Sequence, residues 1–312
     1  MKTFPLSTTN LTVPSIVAGM MRIAKLDDQA IRALIGAALD AGINFFDHAD
    51  IYGGSMHRCE TRFAEALNWS AAEREAVILQ TKCGICPNDD VTYFDFSREH
   101  ILRQVEGSLR ALRTDYIDIL LLHRPDAWVE PDEVAAAFDE LQAAGKVRHF
   151  GVSNHTPYQI DFLKKSVNQP LVANQLQLSI THAPFVAQGI AMNMLGEDQA
   201  ISRDLGIIDY CRLHEITIQA WSPFQAGFFT GTFVDNPQYE ALNAVLTRLA
   251  EKYGVTPTGI ASAWITSHPA RMQVVYGTRT PARVAEIAAG AEVQLTKPEW
   301  YELFQAAGHI VP

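Results

Sequence analysis

Cysteine is scarce in this chain, positive charge is in deficit, and no apolar run is long enough to cross a bilayer. The four cysteines (Cys59, Cys83, Cys86, Cys211) among 312 residues are too few to staple a fold of this size. That excludes a disulfide framework and fits free thiols in a reducing compartment. Basic residues number 25 against 35 acidic ones, giving a formal net charge of −10. With no Lys/Arg block, neither a nucleic-acid footprint nor attachment to an anionic membrane is expected. No stretch approaches the ~18–20 apolar residues of a membrane span, and the opening MKTFPLSTTNLTVPS lacks the basic start and apolar core of a signal peptide. The expectation is a cytoplasmic protein with no membrane, nucleic-acid or obligate protein partner.

A fourth absence concerns phosphate-binding turns. The turn after the first strand reads SIVAGMMRIAK, without the G-x-G-x-x-G that lets a backbone approach a pyrophosphate, so a dinucleotide here would bind without a Rossmann turn.

The apolar share of 48% and charged share of 19% suit a soluble protein with a large core. After a segment that can form a hairpin (Thr3–Val13), strand-like apolar runs alternate with helix-period stretches. The strands expected are Ser15–Met20, Asn44–Asp50, Val77–Cys83, Ile117–His123, Val147–Asn154, Ala173–Leu178, Thr217–Ser222 and Met272–Gly277. Amphipathic stretches at 27–42, 97–112 and 130–146 lie between them, with stop signals at Gly42 and Gly145. Eight β-α units with continuous apolar strands predict an α/β fold, a (β/α)8 TIM barrel with an N-terminal β-hairpin and a C-terminal helix, in one domain spanning 1–312. An open doubly wound sheet is the rival topology. Two stretches depart from the repeat: a long connection at 180–204 and a terminal helix within 296–312.

Chemistry gathers at the strand ends. Asp47 and Tyr52 lie in INFFDHADIYGG, Lys82 ends AVILQTK and His123 ends YIDILLLH, all at the mouth where a parallel barrel keeps its active site. A phenol with pKa ~10 is a weak acid until a cation stabilises its phenolate. Lys82 can supply that cation, Asp47 can keep it charged, and His123 can orient a substrate oxygen. Singly, Tyr52 and His123 read as packing residues and Asp47 with Lys82 as a structural ion pair. Together, at consecutive strand mouths, they read as a proton donor beside an oxygen site. A Lys82 Schiff-base lyase would need that lysine without Asp47. The Cys83/Cys86 pair lacks a second cysteine pair for zinc, and His48 and Asp50 lack a second histidine pair, so no metal is expected.

These residues, with T-K, L-L-H-R-P, G-V-S-N, N-Q and W-S-P after successive strands, resemble the aldo-keto reductase superfamily over essentially the whole chain. DHADIYGG, KVRHFGVSN and EWYELFQAAGHIVP resemble its bacterial branch typified by YdhF. The resemblance implies an NADP(H)-dependent reductase of small-molecule aldehydes and ketones. In it Tyr52 is the general acid, Lys82 and Asp47 lower its pKa, and His123 orients the carbonyl. It places Ser153, Asn154 and Gln175 on the nicotinamide carboxamide and Trp221, followed by Ser222, against the ring. Thr278, Arg279, Arg283 and Glu286 fall at the adenosine end, where Gly277 stands in place of a lysine common in the family. An open substrate pocket lined by Tyr52, Met20 or Met21, Phe224 and the 180–204 stretch is expected. A nicotinamide-binding redox sensor with little turnover remains the alternative.

Overall fold

In the computed structural model, which describes all residues except 89, 195 and 229, eight strands close into a parallel barrel. The chain opens with an antiparallel hairpin, β1 (Thr3–Pro5) and β2 (Thr12–Pro14). It then runs through β3 (Ile16–Gly19), α1 (Asp28–Asp40), β4 (Phe45–Asp47), α2 (Arg58–Leu67), α3 (Ala71–Glu75) and β5 (Ile78–Cys83). A small hairpin, β6 (Ile85–Cys86) and β7 (Tyr93–Phe94), precedes α4 (Arg98–Leu112). Next come β8 (Ile117–Leu122), α5 (Pro131–Ala143), β9 (Val147–Ser153), α6 (Pro157–Leu163), β10 (Leu171–Gln177), α7 (Pro184–Ile190) and α8 (Ile207–Leu213). The last part holds β11 (Thr217–Trp221), α9 (Glu240–Tyr253), α10 (Pro257–Thr266), β12 (Gln273–Tyr276), α11 (Pro281–Ala291) and α12 (Lys297–Ala306). The barrel order is β3-β4-β5-β8-β9-β10-β11-β12, closed by β12 pairing with β3.

The open doubly wound alternative is therefore out. All eight expected strands form, several shorter at their C-terminal ends than the apolar runs suggested. In the second, the regular strand ends at Asp47 rather than Asp50, although His48 N and Asp50 N still donate to Gln80 O and Lys82 O, and the chain then turns through Gly53 and Gly54. Both glycines have positive φ (104° and 89°), a region closed to most side chains, and this turn brings Tyr52 back over the mouth. Helix starts follow side-chain chemistry: Asp27 accepts from Ala30 N, Ser97 from His100 N, and Thr156 and Thr296 form capping boxes with Gln159 and Glu299.

Two apolar cores result. The larger fills the space between strands and helices. The smaller lies inside the barrel, where Leu6 and Val13 of the hairpin region pack on Val17, Phe45, Ile78, Ile119, Leu121, Val172, Ala173 and Val275. The hairpin thus plugs the bottom of the barrel. The 180–204 connection folds as α7 plus a short 3-10 turn at Asp198–Ala200. It packs against the C-terminal tail, through Gln199 Nε2 to Ile310 O at 3.0 Å and His309 Nε2 to Ile180 O at 2.7 Å.

Candidate active site

Alternation along each strand decides what reaches the barrel mouth. Phe45 and Asp47, and likewise Ile78, Gln80 and Lys82, point inward in steps of two, while Phe46, Leu79 and Cys83 face the helices. Buried Lys82 Nζ lies 2.8 and 2.7 Å from the two Asp47 carboxylate oxygens, 2.7 Å from His48 O and 3.3 Å from Tyr52 Oη. Burial alone would lower the lysine's pKa. Asp47 and Tyr52 outweigh that effect and hold its pKa above the usual lysine value.

Tyr52 departs from the simple expectation. Burial pushes its phenol above 10; Lys82 pulls it back, but Asp47 cancels part of that pull. The Lys82–Asp47 pair therefore limits the rise without producing a net fall, and Tyr52 stays protonated at neutral pH. His123 meets Tyr52 edge-on, with ring centroids 5.8 Å apart at 80°. Burial, with Lys82 and Arg124 nearby, drops its pKa well below 6.5, so the imidazole is neutral.

Around these groups lies a cavity of about 750 Å³. Its lining includes Asp47, Tyr52 and His123, then Ser153, Asn154, Gln175, Trp221 and Ser222, and, from the β12–α11 segment, Thr278, Arg279, Arg283 and Glu286. All the sequence-derived site residues line it save Lys82, which sits behind Tyr52 with Nζ 3.3 Å from its hydroxyl. Asn154, at φ 61°, is held by its neighbours: its amide donates to Ser153 Oγ (2.8 Å) and His123 O (3.3 Å) and accepts from Trp221 Nε1 (3.1 Å). Trp221 is thereby fixed as a wall of the groove.

Beneath the mouth lies a layer that sequence reasoning missed. Gln80 Nε2 donates to Asp47 Oδ1 at 2.6 Å and to Gln219 Oε1 at 2.9 Å, and Gln219 Nε2 returns a bond to Gln80 Oε1 at 3.1 Å. Gln175 Nε2 donates to Asp47 Oδ1 and Gln219 Oε1, both at 3.1 Å. Gln219 Nε2 also reaches Gln273 Oε1 (3.0 Å), and Gln273 Nε2 reaches Pro14 O (2.7 Å). The available signal was the two-residue step from Gln80 to Lys82 and from Gln219 to Trp221.

Other expectations need correction. The 180–204 stretch does not line the cavity among the described residues; Ile85 and the 222–235 loop, with Phe224 and Phe228, do. Met21 lines it, whereas Met20 is buried in the outer core. The four cysteines are unpaired and buried. Cys86, Asp95 and His100 lie close enough to hold a metal ion, yet Cys86 Sγ is nearly equidistant from both imidazole nitrogens (3.7 and 3.8 Å) and Arg103 donates to His100 Nδ1 at 2.9 Å. Neither feature suits a cation on an in-plane lone pair.

A closed (β/α)8 barrel with a tyrosine, lysine, aspartate and histidine at its mouth defines an oxidoreductase of the aldo-keto reductase class. The chain matches the Aldo/keto reductase family model over residues 15–307 and belongs to that family. It is 33% identical over 307 residues to a 6-dehydroglucose reductase of Agrobacterium fabrum, covering 95% of each chain. It is 32% identical to the oxidoreductase YdhF of Escherichia coli, covering 88% of this chain and 86% of that one. The solved structure of the thermostable aldo-keto reductase Tm1743 superposes with a TM-score of 0.77 at 22% identity, covering 98% of this chain and all of that one. At that identity the last likeness speaks for the fold. Among the described residues no helix is long and apolar enough to cross a membrane.

Proposed function

We propose that this protein is a cytoplasmic, single-domain NADP(H)-dependent carbonyl reductase, converting aldehydes or ketones to alcohols with Tyr52 as the general acid. The observation that carries the reading is the buried Lys82 ammonium, tied to both Asp47 oxygens and placed 3.3 Å from the Tyr52 hydroxyl. A lysine that Asp47 holds protonated lacks the free amine a Schiff base needs, which argues against a lyase.

The groove fits an extended dinucleotide. Trp221 walls one stretch of it, Gln175 keeps a carbonyl oxygen with no partner among the described residues, and Arg279 and Arg283 stand at the start of α11 without a carboxylate partner among them. Two free guanidinium groups suit a phosphate, which favours NADPH. When bound, the reduced nicotinamide supplies the hydride. Tyr52 delivers its proton to the developing alkoxide, Lys82 stabilises the phenolate left behind, and neutral His123 holds the carbonyl oxygen in line.

The test is NADPH consumption by purified protein with aldehydes and ketones, run beside Tyr52→Phe. We expect turnover to fall by about 10²–10⁴-fold, the usual worth of a positioned acid, with NADPH binding retained. Tight NADPH binding without turnover in the unaltered protein would replace this reading with the redox sensor.

A further inference from the structure

The carbonyl end of the cavity carries positive charge that no carboxylate among the described residues answers. Arg124 directly follows His123, lines the same cavity as Tyr52, and holds its guanidinium 5.8 Å from the Trp221 ring centroid. It is half-buried, and among the described residues it has no hydrogen bond or carboxylate partner. Asp126, two residues on, is occupied elsewhere: Oδ1 accepts from Trp128 N at 2.8 Å and Oδ2 from Phe96 N at 3.0 Å. Arg22, from the turn after β3, lines the cavity as well and is likewise unpaired among the described residues. Of the acids that line it, Asp47 is committed to Lys82, and Asp235 and Glu286 accompany the 222–235 loop and the Arg279/Arg283 end.

In a protein of net charge −10, a half-buried guanidinium left without an anion is an exception that calls for a physical reason. Desolvation disfavours its charge, as the lowered Arg124 pKa reflects, and among the described residues the Trp221 face offsets part of that loss but no carboxylate does. A substrate that brings its own anion would offset it. Resting on the reductase reading, we propose that the natural substrate is a carbonyl compound carrying an oxyanion, a carboxylate or a phosphate, and that Arg124, assisted by Arg22, receives that group while Tyr52 and His123 take the carbonyl oxygen. Arg124 is then a specificity residue. Its planar fork can grip either anion through paired N–H donors. Trp221 and Ile85 add apolar surface to the same cavity.

The test compares aldehydes of similar size: 4-carboxybenzaldehyde and 4-formylphenyl phosphate against neutral 4-methylbenzaldehyde, with NADPH. We expect kcat/KM for at least one anionic aldehyde to exceed that of the neutral one by about tenfold or more, the worth of one charged hydrogen-bonded contact. Which anion wins identifies the group. In Arg124→Met that ratio should collapse toward one, chiefly through KM, while Arg124→Lys retains part of it. A ratio near one in the unaltered protein, or a large ratio that survives both Arg124→Met and Arg22→Met, overturns the proposal. A parallel arm without turnover measures calorimetric binding of 4-(hydroxymethyl)benzoate and 4-(hydroxymethyl)phenyl phosphate against 4-methylbenzyl alcohol. If no aldehyde is reduced, the reductase reading fails, and this arm still decides the anion site: anion-selective binding lost in Arg124→Met sustains it, and equal binding ends it.

Discussion

Replacing Gln80 by methionine tests whether the amide layer under the mouth supports both the fold and the acid. The substitution keeps the length of the side chain but removes two donated bonds and one accepted bond, of which the 2.6 Å contact to Asp47 is made to a charged group. Two neutral bonds at about 1 kcal/mol each and one charged bond at about 2 give about 4 kcal/mol of gross loss. Two effects reduce it. Asp47 Oδ1 keeps Lys82 and Gln175, and Gln219 keeps Gln175 and Gln273, so no partner is orphaned. The buried methionine also regains transfer energy. A net destabilisation of about 2–3 kcal/mol follows, read as a lower urea midpoint at unchanged slope. The kinetic effect has its own sign. The lost amide dipole placed partial positive charge next to Asp47, so without it the Asp47 field acts more fully on Tyr52 and phenolate is harder to form. The basic limb of the reduction rate should move to higher pH, with a lower plateau. Gln273→Met, which removes bonds to Gln219 and Pro14 but none to Asp47, should destabilise without moving that limb. Stability within about 0.5 kcal/mol of the unaltered protein, together with an unmoved limb, would refute the reasoning.

The raised Tyr52 and lowered His123 pKa values place both groups in their working forms through neutrality. Carbonyl reduction should therefore run nearly flat from about pH 6.5 to 9, while alcohol oxidation, which needs the phenolate, should climb with pH; a reduction profile falling through pH 7 contradicts the assignment. Asp50 is buried with neither carboxylate oxygen satisfied by a side chain, and burial raises its pKa well above 3.8. A raised acid pKa gives stability below the unfolded value that drains away as pH rises, so Asp50→Asn should be more stable than the unaltered protein at pH 7, with the gap closing near pH 3.5. An equal gap at both values would count against a neutral buried carboxyl. His48 and His155 are buried with pKa values lowered to about 4. They contribute stability above pH 6.5 that is lost on acidification, each by up to about 1.4 kcal/mol per pH unit between 6.5 and 4; chemical denaturation across that range measures the slope. A side chain at Gly277 meets no atom within 4 Å at Cβ, so Gly277→Lys should fold normally and tighten NADPH several-fold without tightening NADH. Equal gains for both cofactors would put that position away from the 2′-phosphate.

Much of this was legible in the chain because barrel strands write their inward faces in steps of two and end them at the mouth. Asp47, Lys82 and His123 each close an apolar run, so both the strand and its chemistry could be read at once. The strand ends were overrun because the chain past Asp47 stays extended enough for His48 and Asp50 to keep bonding to Gln80 and Lys82 after the regular strand has ended. The glutamines were not read because an amide within a strand usually marks a solvent face. Here Gln80 and Gln219 face each other across a closed interior that no local pattern reports. The 180–204 stretch was misplaced for a related reason: its length signalled a role, but its partners Ile310 and His309 lie more than a hundred residues away. The direction of the Tyr52 pKa was also beyond sequence, since it depends on how burial compares with the field of a charged lysine that Asp47 partly offsets.

In most barrels of this kind the two rims can be treated as separate modules, one governing stability and the other carrying the chemistry. Here amides run unbroken from the Pro14 carbonyl, through Gln273, Gln219 and Gln80, to the Asp47 carboxylate. Anyone trimming the opening hairpin, or transplanting this mouth onto another scaffold, severs that line at one end or the other, and the two halves of the molecule would have to be inherited together.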